Sequence, residues 1–468
     1  MVLQVFNTLT RKKEKFVPRS GKKVQMFVCG ITPYDYPHLG HAKTYVQFDV
    51  IAKYLRFSGF DVFYLQNITD IDDKIIHRAI KEYDAADPKN ACKKLVDHYV
   101  SIYMENMKAL EVTSINTYAR ATDYIPAIVS QVERLVKKGF AYKISDGYYF
   151  DVSKLTHYGA LAKRTEKDDE DAVSRIDENT EKKNRADFCL WKFYKDGEPF
   201  WDTTLGKGRP GWHIEDTAIT EETFGQQYDL HGGGRDLIFP HHEAEIAQME
   251  SISGKRPFVK YWMHSGFLNI NKEKMSKSLG NFFTIQDALQ HYSGKVLRYF
   301  FLQSHYRKPV DFSPENLDQA KQGLAKVYDF VRTLKHYSSL VKDYARFTAV
   351  LKKARTDFIA AMDDDFETSN ALTVLFTLMK EVNPLLMEKK LSAKNVQTLL
   401  TFFEEMDAVF GILEQEQAIP KAIQILVEKR EAARKNKQWK ESDMLRDELK
   451  KKGYAVDDTP DGPVVRKL

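Results

Sequence analysis

A short stretch near the N-terminus has the residue types needed to bind phosphate groups. The motif His38-Leu39-Gly40-His41 follows an apolar run over residues 24–28 and leads into a helix-like segment over residues 42–57. Unpaired N–H groups and the dipole of a helix N-terminus attract negative charge there, and Gly40 lets the backbone approach closely. His38 and His41 add donors that matter most where charge develops during a reaction. The stretch therefore predicts a nucleotide site.

A second candidate lies far along the chain, in the run Lys274-Met275-Ser276-Lys277-Ser278. Two lysines three residues apart, with Gly280 just after them, are typical of a flexible cationic loop. Such a loop can close on a triphosphate and neutralise the charge that moves onto leaving pyrophosphate. We expect it to act on the same nucleotide as the histidine motif.

Metal-ligand chemistry is indicated by His241 and Glu245, which lie four residues apart and hence on one helical face. The simpler interpretation of such a pair is a surface ion pair. Cys29 follows a predicted strand of the same kind of sheet, and a thiolate there would complete much of a tetrahedral zinc site.

An acidic run at residues 67–74 is open to two interpretations. Its carboxylates, Asp70, Asp72 and Asp73, have the chemistry to orient a ribose, an amine or magnesium. An aspartate-rich N-cap for the following helix explains the same residues.

The elements around these motifs alternate between strand and helix over residues 24–115. This rhythm predicts a doubly wound parallel sheet of the Rossmann type, with ligands beyond the carboxyl ends of its strands. An insertion from about residue 114 contains a helical stretch (122–138), a hairpin (141–152) and a charged segment (163–185). That segment is either a solvated surface loop or a nucleic-acid contact. The sheet pattern resumes with strand-sized segments at 211–216 and 228–236 and a helix from Pro240.

After residue 309 the sequence pattern changes. Long stretches there, at 317–340, 348–362 and 369–387, have apolar residues three and four positions apart. This spacing predicts a helix bundle. Residues 422–453 are strongly basic and include Trp439, and the short tail 454–466 suggests a small terminal α/β module. The basic helices present either a solvated face or a surface for RNA phosphates and bases.

Composition limits the class of protein. The chain has 468 residues, a net charge of +5 and three widely spaced cysteines. The odd cysteine number argues against a disulfide framework and for a reducing cytosol. No apolar run reaches the length of a membrane span, and the start lacks a signal-peptide pattern. We expect a cytoplasmic protein with no membrane partner.

His38-Leu39-Gly40-His41 together with the Lys274 to Ser278 run resembles the paired signature of class I aminoacyl-tRNA synthetases. The chain is most similar to the cysteinyl-tRNA synthetases, through Cys29-Gly30-Ile31-Thr32-Pro33, Trp212-His213-Ile214-Glu215 and Pro240-His241-His242-Glu243. The resemblance extends over nearly the whole chain, to the C-terminal tail.

The resemblance implies activation of L-cysteine with ATP and transfer of the cysteinyl group to tRNA(Cys). By motif position, His38, His41, Lys274 and Lys277 would be catalytic, and Gly40, His41, Lys277 and Ser278 would bind ATP with its magnesium. Thr69 and Trp212 would line the cysteine pocket. One zinc ion would be held by Cys29, Asp216, His241 and Glu245.

Domain limits follow from the same resemblance, and a monomer is expected. The divisions are a first Rossmann-type half (1–115), a connective insertion (116–200), a second half with the metal site (201–250), the lysine-loop and stem-contact region (251–312), a helical bundle (313–405) and an anticodon-binding module (406–468).

The main departure from the family pattern is Asp216, which stands where the family has a cysteine ligand. An aspartate ligand makes a harder site, and water at that place is the alternative. Val464 and Val465 also replace a tryptophan that is frequent in the family tail. Two other functions remain open: a paralogous cysteine:amino-sugar ligase, and a non-catalytic RNA-binding relative.

Overall fold

The computed structural model describes residues 2–163, 179–270, 273–274, 283–344, 346–414, 420–459 and 462–467. Two compact units are present. The first comprises Met1–Leu324, Lys353–Phe376 and Glu405–Ile412, and the second comprises Ala325–Lys352, Thr377–Glu404 and Leu413–Leu468. The finer division into six parts stays a prediction.

The strands of the described residues are numbered in chain order. They are β1 (Gln4–Asn7), β2 (Lys12–Lys15), β3 (Lys23–Ile31), β4 (Asp61–Ile68), β5 (Thr117–Arg120), β6 (Ala141–Ile144), β7 (Gly147–Phe150), β8 (Phe188–Phe193), β9 (Gly208–Pro210), β10 (Tyr228–Gly234), β11 (Val259–Ser265), β12 (Leu268–Ile270), β13 (Glu273–Lys274), β14 (Val310–Phe312), β15 (Tyr454–Thr459) and β16 (Gly462–Lys467).

The helices are numbered in the same way. They are α1 (Leu39–Phe57), α2 (Asp73–Glu82), α3 (Pro88–Ala109), α4 (Ile125–Lys137), α5 (Ile214–Phe224), α6 (Glu243–Ser253), α7 (Ile285–His291), α8 (Gly294–Leu302), α9 (Pro314–Lys335), α10 (Phe347–Asp363), α11 (Thr368–Met387), α12 (Ala393–Phe410), α13 (Lys421–Lys435) and α14 (Trp439–Lys451).

The central sheet of the first unit has five parallel strands in the order β11-β10-β3-β4-β5. The chain order reverses between β3 and β10, and in open parallel sheets such a reversal leaves a crevice beyond the strand ends. Both edges of that crevice carry motif residues, since Cys29 lies near the end of β3 and the glycines 232–234 end β10. The predicted Rossmann-type fold is confirmed.

Gly30 is required where β3 meets β4. A Cβ atom at residue 30 would lie 1.8 Å from the carbonyl oxygen of Asn67, which is far inside contact distance. The Gly30 N–H also donates to Asn67 Oδ1 at 2.5 Å. Only glycine permits this approach, and the hydrogen bond to Asn67 then holds the ends of β3 and β4 close together next to Cys29.

One predicted strand is wrong. Residues 211–216 were expected to form a strand-sized segment, but β9 ends at Pro210 and α5 begins at Ile214. Asp216 therefore lies in the first turn of a helix. With only two apolar residues, Trp212 and Ile214, the segment is too short to distinguish a strand from a helix by its spacing. In the folded protein every residue from Ile214 to Thr220 is buried.

The insertion forms a four-stranded antiparallel sheet, β6-β7-β8-β9. The predicted hairpin is confirmed as β6 and β7, and the predicted helix as α4. Residues 164–178, most of the predicted charged segment, lie outside the described residues.

The back of the chain is helical, as predicted, from α9 to α14. Within the second unit, α13, α14 and the β15–β16 hairpin share a small apolar core of Ile423, Val427, Leu449 and Val456. The predicted terminal α/β module is therefore confirmed, and Trp439 is 59% exposed at the start of α14. None of the helices in the described part of the chain is long and apolar enough to cross a lipid bilayer.

Candidate active site and metal centre

A cavity of about 780 Å³ lies beyond the carboxyl ends of β3, β4, β10 and β11. This volume is in the range of sites for small substrates and cofactors. The cavity is lined by the histidine motif (His38, Gly40 and His41), by residues 265–268, and by Cys29, Thr69, Trp212, Asp216 and His241. The tertiary structure thus brings most of the predicted site residues to one cavity.

The histidine motif forms the start of α1. His38 is the N-cap, and its Nδ1 accepts from the His41 N–H at 3.3 Å, while His41 Nδ1 accepts from the His38 N–H at the same distance. The two rings stack with centroids 3.6 Å apart. This reciprocal capping fixes both imidazoles beside the helix N-terminus, where phosphate oxygens are favoured.

The predicted cysteine-pocket residues lie near Cys29. Thr69 follows β4 and is buried, and its Oγ1 accepts from Asn67 Nδ2 at 3.2 Å. Trp212 stacks on the His241 ring, with centroids 4.5 Å apart and planes 18° apart. Trp212 therefore forms a flat wall next to a predicted metal ligand.

The four predicted metal ligands meet in one buried cluster. Cys29, Asp216, His241 and Glu245 each offer a ligand atom within 4.8 Å of the others. Cys29 Sγ is 3.4 Å from Asp216 Oδ2, and His241 Nε2 is 3.0 Å from Asp216 Oδ2 and 3.1 Å from Glu245 Oε1. The separations suit four ligands around one small ion.

Two atoms of this cluster are unsatisfied. Asp216 Oδ1 and Glu245 Oε2 are buried without a hydrogen-bond partner in the described structure, although Glu245 Oε2 lies 3.3 Å from His231 Nδ1. Burial, with the nearby Asp216 carboxylate, raises the pKa of Glu245 well above its usual value. Burial, then Asp216 and Glu245, raises the pKa of the Cys29 thiol in the same way. A cation at this place would relieve both effects, so the donor set fits a metal ion.

Sequence reasoning did not assign two further histidines to this cluster. His242 Nε2 lies 3.1 Å and His231 Nε2 lies 3.3 Å from Cys29 Sγ, so Cys29, His231, His242 and Glu245 form a second ligand group. His231 and His242 are not among the described residues that line the cavity, whereas Asp216 and His241 are. The predicted group, Cys29, Asp216, His241 and Glu245, is therefore the better candidate for holding a metal ion that faces a substrate.

Neighbours behind the cluster orient its imidazoles. Tyr228 Oη is 2.6 Å from His231 Nδ1, and His264 Nε2 is 2.8 Å from His242 Nδ1. His213 Nδ1 is 2.9 Å from His241 Nδ1. Burial lowers the pKa of His213, His231 and His242, which keeps these rings neutral. The adjacent histidines His241 and His242 were the sequence feature that pointed to further ligands. Residue spacing alone could not show which imidazole nitrogen faces Cys29.

The carboxylates of the acidic run after β4 have partners within the protein, and Asp72 and Asp73 also line the cavity. Asp72 caps α2 by accepting from the Lys74 N–H at 2.8 Å, and Asp70 accepts from Thr122. Asp73 pairs with Arg209 and Lys192. Although burial raises it, these two cations bring the pKa of Asp73 down to about 2. The N-cap interpretation describes Asp72, and the other carboxylates already have partners.

The lysine run is only partly described. Lys274 lies in β13, whose backbone pairs with β12. Lys277 and Ser278 lie outside the described residues, as does the side chain of Lys274.

Comparison with known families gives three consecutive matches. Residues 15–322 match the model described as tRNA synthetases class I (C) catalytic domain. Residues 357–414 match the DALR domain, and residues 416–466 match the cysteinyl-tRNA ligase anticodon binding domain.

Curated relatives align over nearly the whole chain. Cysteine–tRNA ligase of Thermococcus gammatolerans is 43% identical, with 100% of both chains covered. Cysteine–tRNA ligase of Anoxybacillus flavithermus is 41% identical over 99% of each chain. Among solved structures, Mycobacterium tuberculosis methionyl-tRNA synthetase in complex with methionyl-adenylate has a TM-score of 0.60 at 17% identity, covering 83% of this chain and 89% of that chain.

The parallel sheet with its histidine-capped α1, together with the catalytic-domain match, defines a class I aminoacyl-tRNA synthetase. The full-length relatives and the anticodon-domain match narrow this class further. The chain belongs to the cysteine–tRNA ligase family.

Proposed function

We infer that this protein is a cysteinyl-tRNA synthetase, which activates L-cysteine with ATP and transfers it to tRNA(Cys). The observation that carries the inference is the full-length similarity to cysteine–tRNA ligases, at 43% identity with complete coverage of both chains. The cavity at the sheet switch point supplies the place for the reaction. ATP is the nucleotide substrate, and it enters with magnesium.

In the first step an oxygen of the cysteine carboxylate attacks the α-phosphorus of ATP, and the bond to pyrophosphate breaks. His38 and His41 lie at the helix N-terminus and line the cavity, with Gly40 between them. We propose that they stabilise the charge that develops on the phosphate oxygens, because fixed donors need no reorganisation as charge builds up. Lys274 and Lys277 would act on the same phosphates, and Ser278 would bind ATP.

The buried cluster around Cys29 is the candidate metal site. We propose that Cys29, Asp216, His241 and Glu245 hold one zinc ion, since their donor atoms converge and Asp216 Oδ1 is buried without a hydrogen-bond partner in the described structure. A bound zinc ion would favour the substrate thiol as thiolate over the hydroxyl of serine. The orientation of His241 by His213 and the stack of Trp212 on His241 would fix this wall of the pocket.

Selection of cysteine over serine would then depend on the stronger bond that zinc forms with a thiolate than with a hydroxyl group. Thr69 and Trp212 would line the pocket around the amino acid, close to Cys29. A site built around a strong polar interaction rejects an analogue that lacks it far better than an apolar pocket rejects a small size difference. Asp216 is the residue most important to test, because an oxygen ligand makes the metal a harder acid.

The RNA partner is supported by the C-terminal match. Residues 416–466 match an anticodon-binding domain, and this region carries the basic helices α13 and α14 with exposed Trp439. Basic residues beside an exposed aromatic ring suit phosphates and unstacked bases. We propose tRNA(Cys) as the partner of a monomeric, cytoplasmic enzyme.

The alternative functions have no support. A cysteine:amino-sugar ligase was expected to resemble only the front of the chain, whereas the relatives align along its full length. A non-catalytic RNA-binding relative would not need the intact His38 and His41 arrangement.

The decisive experiment is charging of a tRNA(Cys) transcript with radiolabelled cysteine, in the presence of serine as competitor. We expect charging with cysteine and little with serine. ATP–pyrophosphate exchange that is independent of cysteine, or no charging by metal-loaded protein, would overturn the proposal. Lys277→Ala is expected to reduce cysteine-dependent exchange strongly.

A further inference from the structure

Lys43 is a buried lysine with no carboxylate partner among the residues that the structure describes. It lies in α1, two residues after His41, and is 1% exposed. Its Nζ donates to Gly266 O at 2.8 Å, to Tyr306 O at 3.1 Å and to Gln47 Oε1 at 3.1 Å. Three acceptors match the three N–H groups of an ammonium ion, and all three are neutral. Burial lowers the pKa of this lysine to about 7.

Such an arrangement does not favour stability by itself. Removing an ammonium group from water is costly, and an apolar side chain of similar length would fill the same space without that cost. Buried charges of this kind instead give one defined geometry to the groups that they bond. The geometry in question is that of the backbone at Gly266 and Tyr306.

Gly266 belongs to the wall of the cavity. Residues 265–268 line it, as do His38 and His41. A Cβ at residue 266 would lie 2.5 Å from the backbone of Lys308, so this segment is packed tightly against the residues that follow Tyr306. The Gly266 N–H also donates to Tyr306 O at 2.8 Å. Lys43 thus contacts both carbonyls of one rigid junction from behind the cavity wall.

The junction of Gly266 with Tyr306 lies just before β12, the strand from which the chain continues to the lysine run. β12 begins at Leu268, and β13, which contains Lys274, pairs with it. On the far side of that run, the Leu39 N–H donates to Phe283 O at 3.1 Å and the Ile285 N–H donates to Pro37 O at 2.9 Å. The beginning of α1 and its flanking residues therefore bond the chain both before and after the lysine run.

We propose that Lys43 is a positioning residue for adenylate formation, which fixes the Gly266–Leu268 wall and the start of β12 relative to His38 and His41. This inference rests on the proposed function. Lys43 touches no substrate in this role. It acts through backbone carbonyls, and its effect should therefore fall on the rate of the chemical step more than on the binding of cysteine.

The experiment compares Lys43→Met with Lys43→Arg in full-length, metal-loaded protein, using cysteine-dependent ATP–pyrophosphate exchange. Misplacement of about 1 Å costs roughly 100-fold in rate, and we expect a fall in kcat of that order for Lys43→Met, with the KM for cysteine within about three-fold of the parent. Lys43→Arg, which keeps donors for the carbonyls, should recover most of the lost rate. Lys81→Met in α2 is the matched control, since it removes an exposed helical lysine that does not line the cavity; we expect its kcat to stay within about three-fold.

The outcomes separate this inference from the proposed function. A parent protein without cysteine-dependent exchange contradicts the proposed function itself. With an active parent, three results would overturn the role of Lys43: an unchanged kcat in Lys43→Met, a loss confined to the KM for cysteine, or no recovery in Lys43→Arg. If Lys43→Met does not fold, Lys43→Gln replaces it and is judged by the same three criteria.

Discussion

Cys29 Sγ lies 3.4 Å from Asp216 Oδ2, although the two residues are 187 positions apart in the chain. One comes from the end of a parallel strand and the other from the first turn of a helix. Their approach makes an isolated cysteine and a distant aspartate neighbouring candidate ligands for one metal ion. It also makes Asp216 the residue through which metal preference in this protein is best tested.

Asp216→Cys should raise the affinity for zinc, and Asp216→Asn should lower it. A thiolate is a softer donor than a carboxylate and suits zinc better, whereas an amide lacks the negative charge. We expect a change of at least about ten-fold in each direction, since even changes behind metal ligands cost roughly 10–100-fold. Competition with a chromogenic chelator measures it. Equal zinc affinity in all three proteins would show that Asp216 is not a ligand.

Cys29→Ala should abolish stoichiometric metal binding. Cys29 belongs to both ligand groups of the cluster, so its loss cannot be compensated by a change from one group to the other. Metal content of freshly purified protein, with about one equivalent expected in the parent, provides the measurement. Cys92→Ala is the matched control, because Cys92 is a buried core thiol of α3. A full metal equivalent in Cys29→Ala would contradict the site.

His41→Ala should lower kcat for cysteine-dependent exchange by roughly 100-fold, the usual cost of removing one preorganised donor. The His38 cap on the His41 backbone N–H remains in this variant, so α1 should keep its start. His77→Ala in α2 is exposed and serves as the control for a generic histidine loss. If both variants exchange at the parent rate, His41 does not act on the phosphates.

Arg298→Met should destabilise the protein by about 3–5 kcal/mol. Arg298 is fully buried and its Nη2 is 2.5 Å from Asp49 Oδ2, while other guanidinium nitrogens donate to backbone carbonyls, including that of Phe410. Burial raises the pKa of Asp49, but Arg298 and Lys53 outweigh this effect and hold it below the usual value. The variant therefore leaves a buried carboxylate with less compensation.

Urea unfolding measures the Arg298 effect. The double variant Arg298→Met with Asp49→Leu should be less destabilised than Arg298→Met alone, because it removes the charge left behind. Additive effects of the two substitutions would show that the pair is not coupled.

The stability contribution of Lys43 should depend on pH between about 7 and 10.5. Its pKa is about 7 in the folded protein, against an ordinary value of 10.5. Below pH 7 the lysine is protonated in both states and the cost of burying its charge is present in full. As pH rises through this window the unfolded chain holds more protons than the folded one, so stability rises by up to about 1.4 kcal/mol per pH unit from this group.

Comparison with Lys43→Met isolates that pH effect. The difference in free energy of unfolding, parent minus variant, should increase from pH 7 to pH 9.5 in urea titrations. Parallel pH dependences would mean that the pKa of Lys43 is not lowered by burial.

Much of the fold could be predicted from the sequence, because the signals were local. The alternation of apolar strands with amphipathic helices around Cys29 and His41 predicted a parallel sheet, and the three- and four-residue spacing after residue 309 predicted helices. The strand predicted at residues 211–216 was wrong for a local reason too, since so short a segment does not show whether its spacing is that of a strand or of a helix.

Contacts between residues that are distant in the chain could not be predicted from the sequence in the same way. His231 and His242 approach Cys29 only because β10 lies beside β3 and α6 packs at the end of that pair, and no spacing within the chain encodes these distances. Lys43 looked like an ordinary helical lysine, and its role depends on the carbonyls of Gly266 and Tyr306, more than 200 residues away.

By itself the sequence determined the chemical inventory of this protein: a histidine and glycine motif before a helix, a lysine run, residue types that can bind a metal, and helices in the back of the chain. These features follow from residue type and short spacing. The tertiary structure alone decided which nitrogen of each histidine faces Cys29, that Asp216 sits in a helical turn beside it, and that a buried lysine holds the cavity wall. Such relations depend on the packing of elements that are distant in the chain, which local propensities do not specify.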